Sequence, residues 1–428
     1  MSKAKKWIGS ALGLLMIFSV SGYHIWHSIC TFLINAAIIL LVPQSHCHLV
    51  SFGFSFLYLL FFRTTIYFGI PYPPAHTNMI QMILTLKLAG LGFEVNTAYL
   101  NRKKGSPEES SGEDDATFFD VFHYTFNYIG LLTGPYYRFR TFKDFFNRPF
   151  GNYAACNEET MKKLALVPLF VLIFLGATHF WPLAYAQSDA FYTDHSWLYR
   201  LWYTWPTFLI FRMRLYIAMT LSECICTMAG LGAYPQLCAA KPGQGPTENL
   251  KEMDAIASNP DRRKTEQYDF ETIHNINPYE SDFCTTFRNG IKNWNICIQY
   301  WFAFNIYKRF PNKKTENRCD NGIISVLARS IHRSLCVHRF GRVLSRHRGR
   351  LHQIIFKGEF GEVIKNMGVD NMVLKNASFF LFVNGICLAL SAKHSQVLCV
   401  MLLRRVYQRC DNVWGRFPAI DEQTKRQG

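Results

Sequence analysis

The residues best suited to take part in chemistry are polar side chains inside an aromatic stretch of the chain, from 283 to 310. No proline interrupts this stretch, so the sequence predicts one continuous helix, capped by Ser281 or Asp282. Four polar residues recur in it at spacings of three or four and would share one helix face: Arg288, Lys292, Asn295 and Gln299. An unpaired amide in lipid is costly, so this face should meet either a neighbouring helix or a water-filled cavity.

A second group of candidates is a pair of arginines in an aromatic segment. Arg138 and Arg140 alternate with aromatic residues just after Gly134 and Pro135, which should break a helix within the membrane or at its surface. A guanidinium group binds phosphate through paired hydrogen bonds. Arginines beside aromatic residues also anchor proteins at lipid headgroups, so the residues alone leave both interpretations open.

Further charged residues lie inside apolar runs. Arg212 and Arg214 are two residues apart and point in different directions on a helix, so we expect one of them to pair with Glu223. Arg63 and Lys87 also interrupt apolar segments. Because such charges are costly in lipid, these helices should belong to a bundle with a polar interior.

No metal or cofactor site is expected. The 13 cysteines are scattered, and many lie in apolar segments where they act as small hydrophobic residues. The clusters 46–48 (His-Cys-His) and 224–226 (Cys-Ile-Cys) carry ligand atoms, but neither has a second pair at the spacing typical of zinc sites.

The elements that position these residues are predicted from composition. The 428 residues are 49% hydrophobic and only 18% charged, and apolar runs of about 20 residues recur along the chain, each long enough to cross a bilayer. We therefore predict an all-α polytopic membrane bundle with about eight to ten spans, the first run being a span or signal anchor. The net charge of +16 is carried by residues that flank apolar runs, which favours lipid headgroups over nucleic acid.

Taken together, the motifs over about residues 5–311 resemble the membrane-bound O-acyltransferase family, in its lysophosphatidylinositol acyltransferase branch. The resemblance depends on an ordered series of segments: Leu59–Arg63, Leu84–Leu88, Thr133–Thr141, Phe211–Tyr216, Gly232–Pro235, Tyr268–Ile273, Ser281–Cys284, Trp294–Asn295 and Ile306–Lys308. It implies a multi-pass endoplasmic-reticulum enzyme that moves a polyunsaturated acyl group from acyl-CoA to the sn-2 hydroxyl of a lysophosphatidylinositol. Acyl-CoA is then a co-substrate, and no cofactor is implied.

The resemblance also assigns roles to residues. Asn295 matches the active-site asparagine of the family, in which a histidine on a following helix is the base. Acyl transfer needs such a base and donors for the oxyanion that forms on the thioester carbonyl. The other candidate substrate-binding residues are Arg138, Arg140, Arg212, Arg214, Trp294 and Gln299.

The resemblance ends after Pro311. The family continues with an apolar helix bearing Tyr-Trp-His-Gly, whereas this chain continues with a run rich in arginine. The segment Val326–Ser330 can be encoded so that reading one base later gives Tyr-Trp-His-Gly. Our hypothesis is that the chain from about residue 320 comes from a shifted frame, so that 1–311 is an incomplete catalytic core and 312–428 an irregular basic region. As written, the chain lacks the expected base, for which His332 is a weak substitute.

Two other functions fit the sequence. The first is a catalytically inactive relative that keeps the fold but lacks the histidine. The second is a transporter, which rests only on the polytopic pattern and on the charges within apolar runs, and which lacks the inverted repeat typical of transporters.

Overall fold

The fold was analysed in a computed structural model, which describes residues 2–65, 69, 73–105, 116–186, 188–284 and 287–309. The described chain is predominantly helical, as predicted. Its α-helices run in the order α1 Ser2–Ser21, α2 Ile25–Leu41, α3 Cys47–Thr64, α4 Ala75–Lys103, α5 Phe118–Phe126, α6 Phe139–Asn147, α7 Cys156–Leu164, α8 Val167–Phe180, α9 Leu183–Ala186, α10 Asp189–Thr193, α11 Trp197–Ala229, α12 Leu250–Ser258, α13 Pro260–Thr265, α14 Pro278–Asp282, α15 Phe287–Lys292 and α16 Ile296–Asn305. Two short strands, β1 Tyr234–Pro235 and β2 Tyr268–Asp269, pair antiparallel.

Helix α4 lies at the centre of the fold. It is buried on nearly all sides between Ile80 and Ala98, and it packs against α2, α3, α5 and α16. Gly90 permits the closest of these approaches, because a Cβ atom there would lie 2.7 Å from the Tyr136 hydroxyl and 2.9 Å from Trp301 Nε1. Trp301 in turn donates a hydrogen bond to the backbone oxygen of Leu86, at 3.0 Å. Helix α16 is thereby fixed against α4.

Helix α11 is the second organising element. It is 33 residues long, contains Pro206, packs against α7 and α8, and ends at Gly230 in the left-handed conformation (φ 82°). A Cβ atom on Gly230 would lie 2.8 Å from the Cα of Gly151, so glycine is needed on grounds of both conformation and space.

Two helical segments of the described chain are long and apolar enough to cross a membrane. The first, Lys3–Leu41, joins α1 and α2 through the 3-10 turn Gly22–His24, and the second, Cys156–Phe180, joins α7 and α8. A shorter apolar helix covers Cys47–Phe62. The predicted number of eight to ten spans stays a prediction, and residues 310–428, including the basic region and His332, lie outside the described residues.

The predicted continuous helix from 283 to 310 is wrong. The described part of this stretch holds two helices, α15 and α16, separated by a turn at residues 293–295. Asn295 adopts the left-handed conformation there (φ 53°, ψ 50°) and is the N-cap residue of α16. Asparagine tolerates this conformation better than most residues, so the break costs little at this position.

Candidate active site

The turn before α16 is held in place by the segment 275–277, which precedes α14. The backbone N–H of Asn277 donates to the oxygen of Asn293 at 3.0 Å, and the N–H of Ile296 donates to the oxygen of Asn275 at 2.8 Å. These bonds satisfy backbone groups at the ends of α15 and α16, which a broken helix would otherwise leave unpaired. The left-handed Asn295 is therefore fixed by tertiary contacts on both sides.

The side chain of Asn275 reaches Asn295 directly. Its Nδ2 donates to Asn295 Oδ1 at 3.2 Å, while its Oδ1 accepts the N–H of Cys297 at 3.3 Å. Asn275 is buried, whereas Asn295 is half-buried. Among the residues that the structure describes, no acceptor bonds the Nδ2 group of Asn295. Asn295 therefore has two N–H donors available for a ligand.

Glu223 of α11 supports this arrangement from the other side. Its Oε1 accepts the backbone N–H groups of Asn275 (2.8 Å) and Ile276 (3.1 Å), and its Oε2 pairs with Lys163 Nζ at 2.8 Å. The side chain of Glu223 is only 3% exposed. A buried carboxylate with three donors is well stabilised, and it ties α11, α7 and the segment before α14 together.

The predicted pairing of Glu223 with Arg212 or Arg214 is wrong. Arg212 instead pairs with Asp282, at the end of α14, and the hydroxyl of Tyr216 donates to the same carboxylate oxygen at 2.5 Å. Glu223 lies about 13–16 Å along α11 from either arginine, at a rise of about 1.5 Å per residue, so no pairing within the helix can form. Arg214 is exposed.

Trp294 and Gln299 both lie in the turn region, but in different roles. The ring centre of Trp294 lies 5.5 Å from that of Tyr216, with the two rings tilted by 52°. Trp294 thus packs beside the pair formed by Arg212 and Asp282, which Tyr216 also contacts. Gln299 Nε2 donates to the backbone oxygens of Ile291 (2.6 Å) and Trp294 (2.5 Å). Gln299 therefore caps the C-terminal end of α15, and the single polar face predicted for one long helix does not exist. The side chain of Arg288 lies outside the described residues.

Arg138 and Arg140 are positioned by Glu94, a buried residue of α4. The Glu94 carboxylate accepts the backbone N–H groups of Phe139 (3.1 Å) and Arg140 (3.4 Å) at the start of α6, and it pairs with Arg138 Nε at 3.5 Å. The Arg138 guanidinium also lies 5.5 Å from the ring of Phe304 on α16. Along α16, Phe304 is about 13 Å from Asn295, at a rise of about 1.5 Å per residue.

Lys87 is fully buried and lies between two tyrosines. Its Nζ donates to the hydroxyl of Tyr137 at 3.1 Å, and it lies 4.6 Å and 5.4 Å from the ring centres of Tyr137 and Tyr124. Lys87 thus faces protein, as predicted from its place in an apolar run. The side chain of Arg63 lies outside the described residues.

A polar cavity of about 170 Å3 opens beside this network. Its wall includes Lys163 and His274, and His274 Nδ1 lies 3.9 Å from Glu223 Oε2. Asp269 of β2 also lines it, and burial raises the pKa of this carboxyl to about 6. In the described part of the chain, no three histidine, cysteine or acidic side chains come together as a metal site would require.

Sequence reasoning missed three residues that hold the candidate site: Lys163, Asn275 and Glu94. Glu94 had a usable signal, because a carboxylate inside an apolar helix must find donors. Asn275 and Lys163 lie in polar segments where such residues are ordinary, so the sequence carried no comparable signal.

A helical chain with apolar segments long enough to cross a bilayer, and with a hydrogen-bonded polar site between its helices, is typical of a membrane protein with an internal site. Residues 14–328 match the family model of MBOAT, the membrane-bound O-acyltransferase family. The chain therefore belongs to this family of membrane proteins, as the motifs predicted. The match extends past Pro311, where the motifs end, to residue 328.

The relatives include three membrane-bound acylglycerophosphatidylinositol O-acyltransferases. The Drosophila melanogaster protein is 43% identical over 329 residues, which cover 72% of this chain and 65% of the relative. The Xenopus laevis protein is 39% identical over 311 residues (71% and 65%), and the human protein is 35% identical over 367 residues (81% and 76%). The chain thus spans just under two thirds of the length of the first two.

Proposed function

We propose that this chain is a polytopic lysophospholipid acyltransferase of the endoplasmic-reticulum membrane. Its substrates are a lysophosphatidylinositol and a polyunsaturated acyl-CoA, and no cofactor takes part. Family membership and the names of its relatives support this activity. The single observation that carries it at the level of geometry is Asn295, whose amide is fixed in the turn before α16 with its donor group available.

The reaction joins the sn-2 hydroxyl oxygen to the acyl carbonyl carbon and breaks the carbon–sulfur bond of the thioester. The hydroxyl proton passes to a base and from it to the departing thiolate of coenzyme A. The carbonyl oxygen carries negative charge as the tetrahedral intermediate forms, and an N–H donor aimed at that oxygen lowers the barrier. The Nδ2 group of Asn295 supplies such a donor. The base is expected beyond residue 309, outside the described residues.

The four candidate arginines differ in whether a carboxylate of the protein already pairs with them. Arg212 is already paired with Asp282, and Arg138 with Glu94, so their charges first serve the fold. Arg140 and Arg214 remain proposed contacts for the headgroup phosphate, together with the half-buried ring of Trp294 as an apolar contact. Gln299 acts indirectly, by fixing the turn that carries Asn295.

The test is acyl transfer by membranes that contain the full chain. A radiolabelled polyunsaturated acyl-CoA is supplied with lysophosphatidylinositol, and with lysophosphatidylcholine as a substrate control. The Asn295→Ala variant should lose activity at least about a hundredfold, since removing one oxyanion donor costs about that much. The matched control is Asn293→Ala, which removes the same type of amide two residues away. In the described part of the chain, the Nδ2 group of Asn293 donates to the backbone oxygen of Asn289.

The inactive-relative alternative is favoured by one observation, the absence of Tyr-Trp-His-Gly from the sequence. An assay of two chains separates this alternative from the proposed activity. One chain is the sequence as written, and the other is restored to the shifted frame from about residue 320. Activity in the restored chain alone would identify the written form as inactive, whereas activity in both would show that another residue is the base. The transporter alternative is not retained, because the chain belongs to an acyltransferase family.

A further inference from the structure

The backbone and side-chain polar groups of Asn275 all form hydrogen bonds with the elements around Asn295. Its N–H donates to Glu223 Oε1, its backbone oxygen accepts from Ile296, and its amide bonds both Asn295 and Cys297. Asn275 is 2% exposed, so none of these groups has water as an alternative partner.

These bonds determine which way the Asn295 amide points. A primary amide has one acceptor end and one donor end. Since Asn275 Oδ1 accepts the N–H of Cys297, the Nδ2 end of Asn275 faces Asn295. Of the two ends of the Asn295 amide, only the oxygen can accept a hydrogen bond from it. A flipped Asn295 would set two N–H groups against each other. The Nδ2 group of Asn295 is therefore held on the side away from Asn275.

We propose that Asn275 is a positioning residue, which orients the Asn295 amide so that its donor meets the acyl carbonyl, and that Glu223 holds Asn275 in place. The inference rests on the proposed function, because it needs an acyl donor at Asn295. It adds that the donor role of Asn295 depends on a residue that touches no substrate.

Asn275→Asp isolates this role. The carboxylate keeps the backbone bonds to Glu223 and Ile296 and still accepts the N–H of Cys297, but it has no donor for Asn295 Oδ1. If the Asn295 amide flips, its Nδ2 group can donate a hydrogen bond to the carboxylate at position 275. The flip therefore becomes favourable, and it turns the oxygen of Asn295 toward the substrate. A role limited to supporting the turn would leave the orientation of Asn295 unchanged.

The measurement is equilibrium binding of two acyl-CoA analogues to the purified full chain in lipid nanodiscs, which requires no catalytic base. One analogue is a ketone, with a methylene group in place of sulfur, and keeps the carbonyl. The other is a thioether, which lacks the carbonyl. The ratio of their dissociation constants reports the hydrogen bond from Asn295, and binding of the thioether reports whether each variant is folded.

We expect the wild type to bind the ketone about tenfold more tightly, the value of roughly one hydrogen bond. Asn295→Ala and Asn275→Asp should both bring the ratio close to one. A second pair of variants tests the support without changing Asn275: Glu223→Ala should lose the preference, while Glu223→Gln, which keeps an acceptor oxygen, should retain it. The control Asn259→Ala removes an amide that accepts two N–H groups at the start of α13, and it should leave the ratio unchanged.

Each of the following results would overturn part or all of the inference. If Asn275→Asp binds the thioether normally and keeps the ketone preference, Asn275 does not orient Asn295. If Glu223→Ala does so, Glu223 is not needed to hold Asn275 in place. If the wild type binds both analogues equally, Asn295 is not a carbonyl donor, although the chain still binds acyl-CoA. If the wild type binds neither analogue, the proposed function itself fails and the inference fails with it.

Discussion

Replacing Glu94 with alanine should destabilise the protein more than any exposed substitution. The carboxylate is 2% exposed and holds the two N–H groups at the start of α6 together with the Arg138 guanidinium, which is 12% exposed. Removing one partner of a buried ion pair costs about 3–5 kcal/mol, since the other charge stays desolvated. Glu94→Gln keeps one acceptor oxygen and loses the charge. Its loss of unfolding free energy should therefore be about half as large, roughly 2 kcal/mol.

The assay is thermal unfolding of the purified protein in detergent, followed with a thiol-reactive dye. At roughly 2–4 °C per kcal/mol, a loss of about 3–5 kcal/mol should lower the midpoint of Glu94→Ala by about 6–20 °C. The exposed Glu248→Ala is the matched control and should stay within about 1–2 °C of the wild type, because surface substitutions rarely exceed about 0.5 kcal/mol. A midpoint for Glu94→Ala equal to that of this control would refute the assignment of Glu94 as the anchor of α6.

Three further predictions concern stability. Asn295→Gly should be about 1 kcal/mol more stable than Asn295→Ala in the same unfolding assay, because glycine adopts the left-handed conformation without strain. Gly90→Ala should lower the free energy of unfolding by about 1–3 kcal/mol, because the added methyl group clashes with Tyr136. Gly176→Ala in α8, where the added methyl group meets open space, should leave the unfolding midpoint unchanged or raise it. The pKa of Asp269 is raised by burial from 3.8 to about 6, so the folded state holds a proton that the unfolded state releases, and stability should fall as pH rises through this window. Asp269→Asn should flatten that fall when midpoints are compared across the same pH range.

The helical class could be predicted from the sequence, but the break in the helix that carries the candidate site could not. Apolar runs predict helices because a bilayer requires every backbone group to be bonded within its own segment. No comparable rule predicts the turn at Asn295. Asparagine fits both a helix and the left-handed conformation, and the choice is made by bonds from Asn275, which is 20 residues away in the chain.

The partners of the charged residues show the same limit. The sequence predicts that one of Arg212 and Arg214 pairs with Glu223, which is too far from both along the same helix. Arg212 instead bonds Asp282, 70 residues away in the chain. Helix geometry alone could have excluded the predicted pair, but naming Asp282 required the tertiary structure. Asn295 itself was identified through the resemblance to a family, since its spacing fits an ordinary helix interface equally well.

The contact between α4 and α16 has a consequence for biosynthesis. The groups on α4 that bind Trp301 and Arg309 are made more than 200 residues earlier in the chain, the separation of Leu86 and Trp301 being 215 residues. Ribosomes add about 5–20 residues per second, so one face of α4, including Asn96 and Thr97, waits roughly 10–40 s for its partner. During that interval the nascent chain presents polar groups that the finished protein conceals. The contact between α4 and α16 is therefore among the last contacts of the described fold that can form.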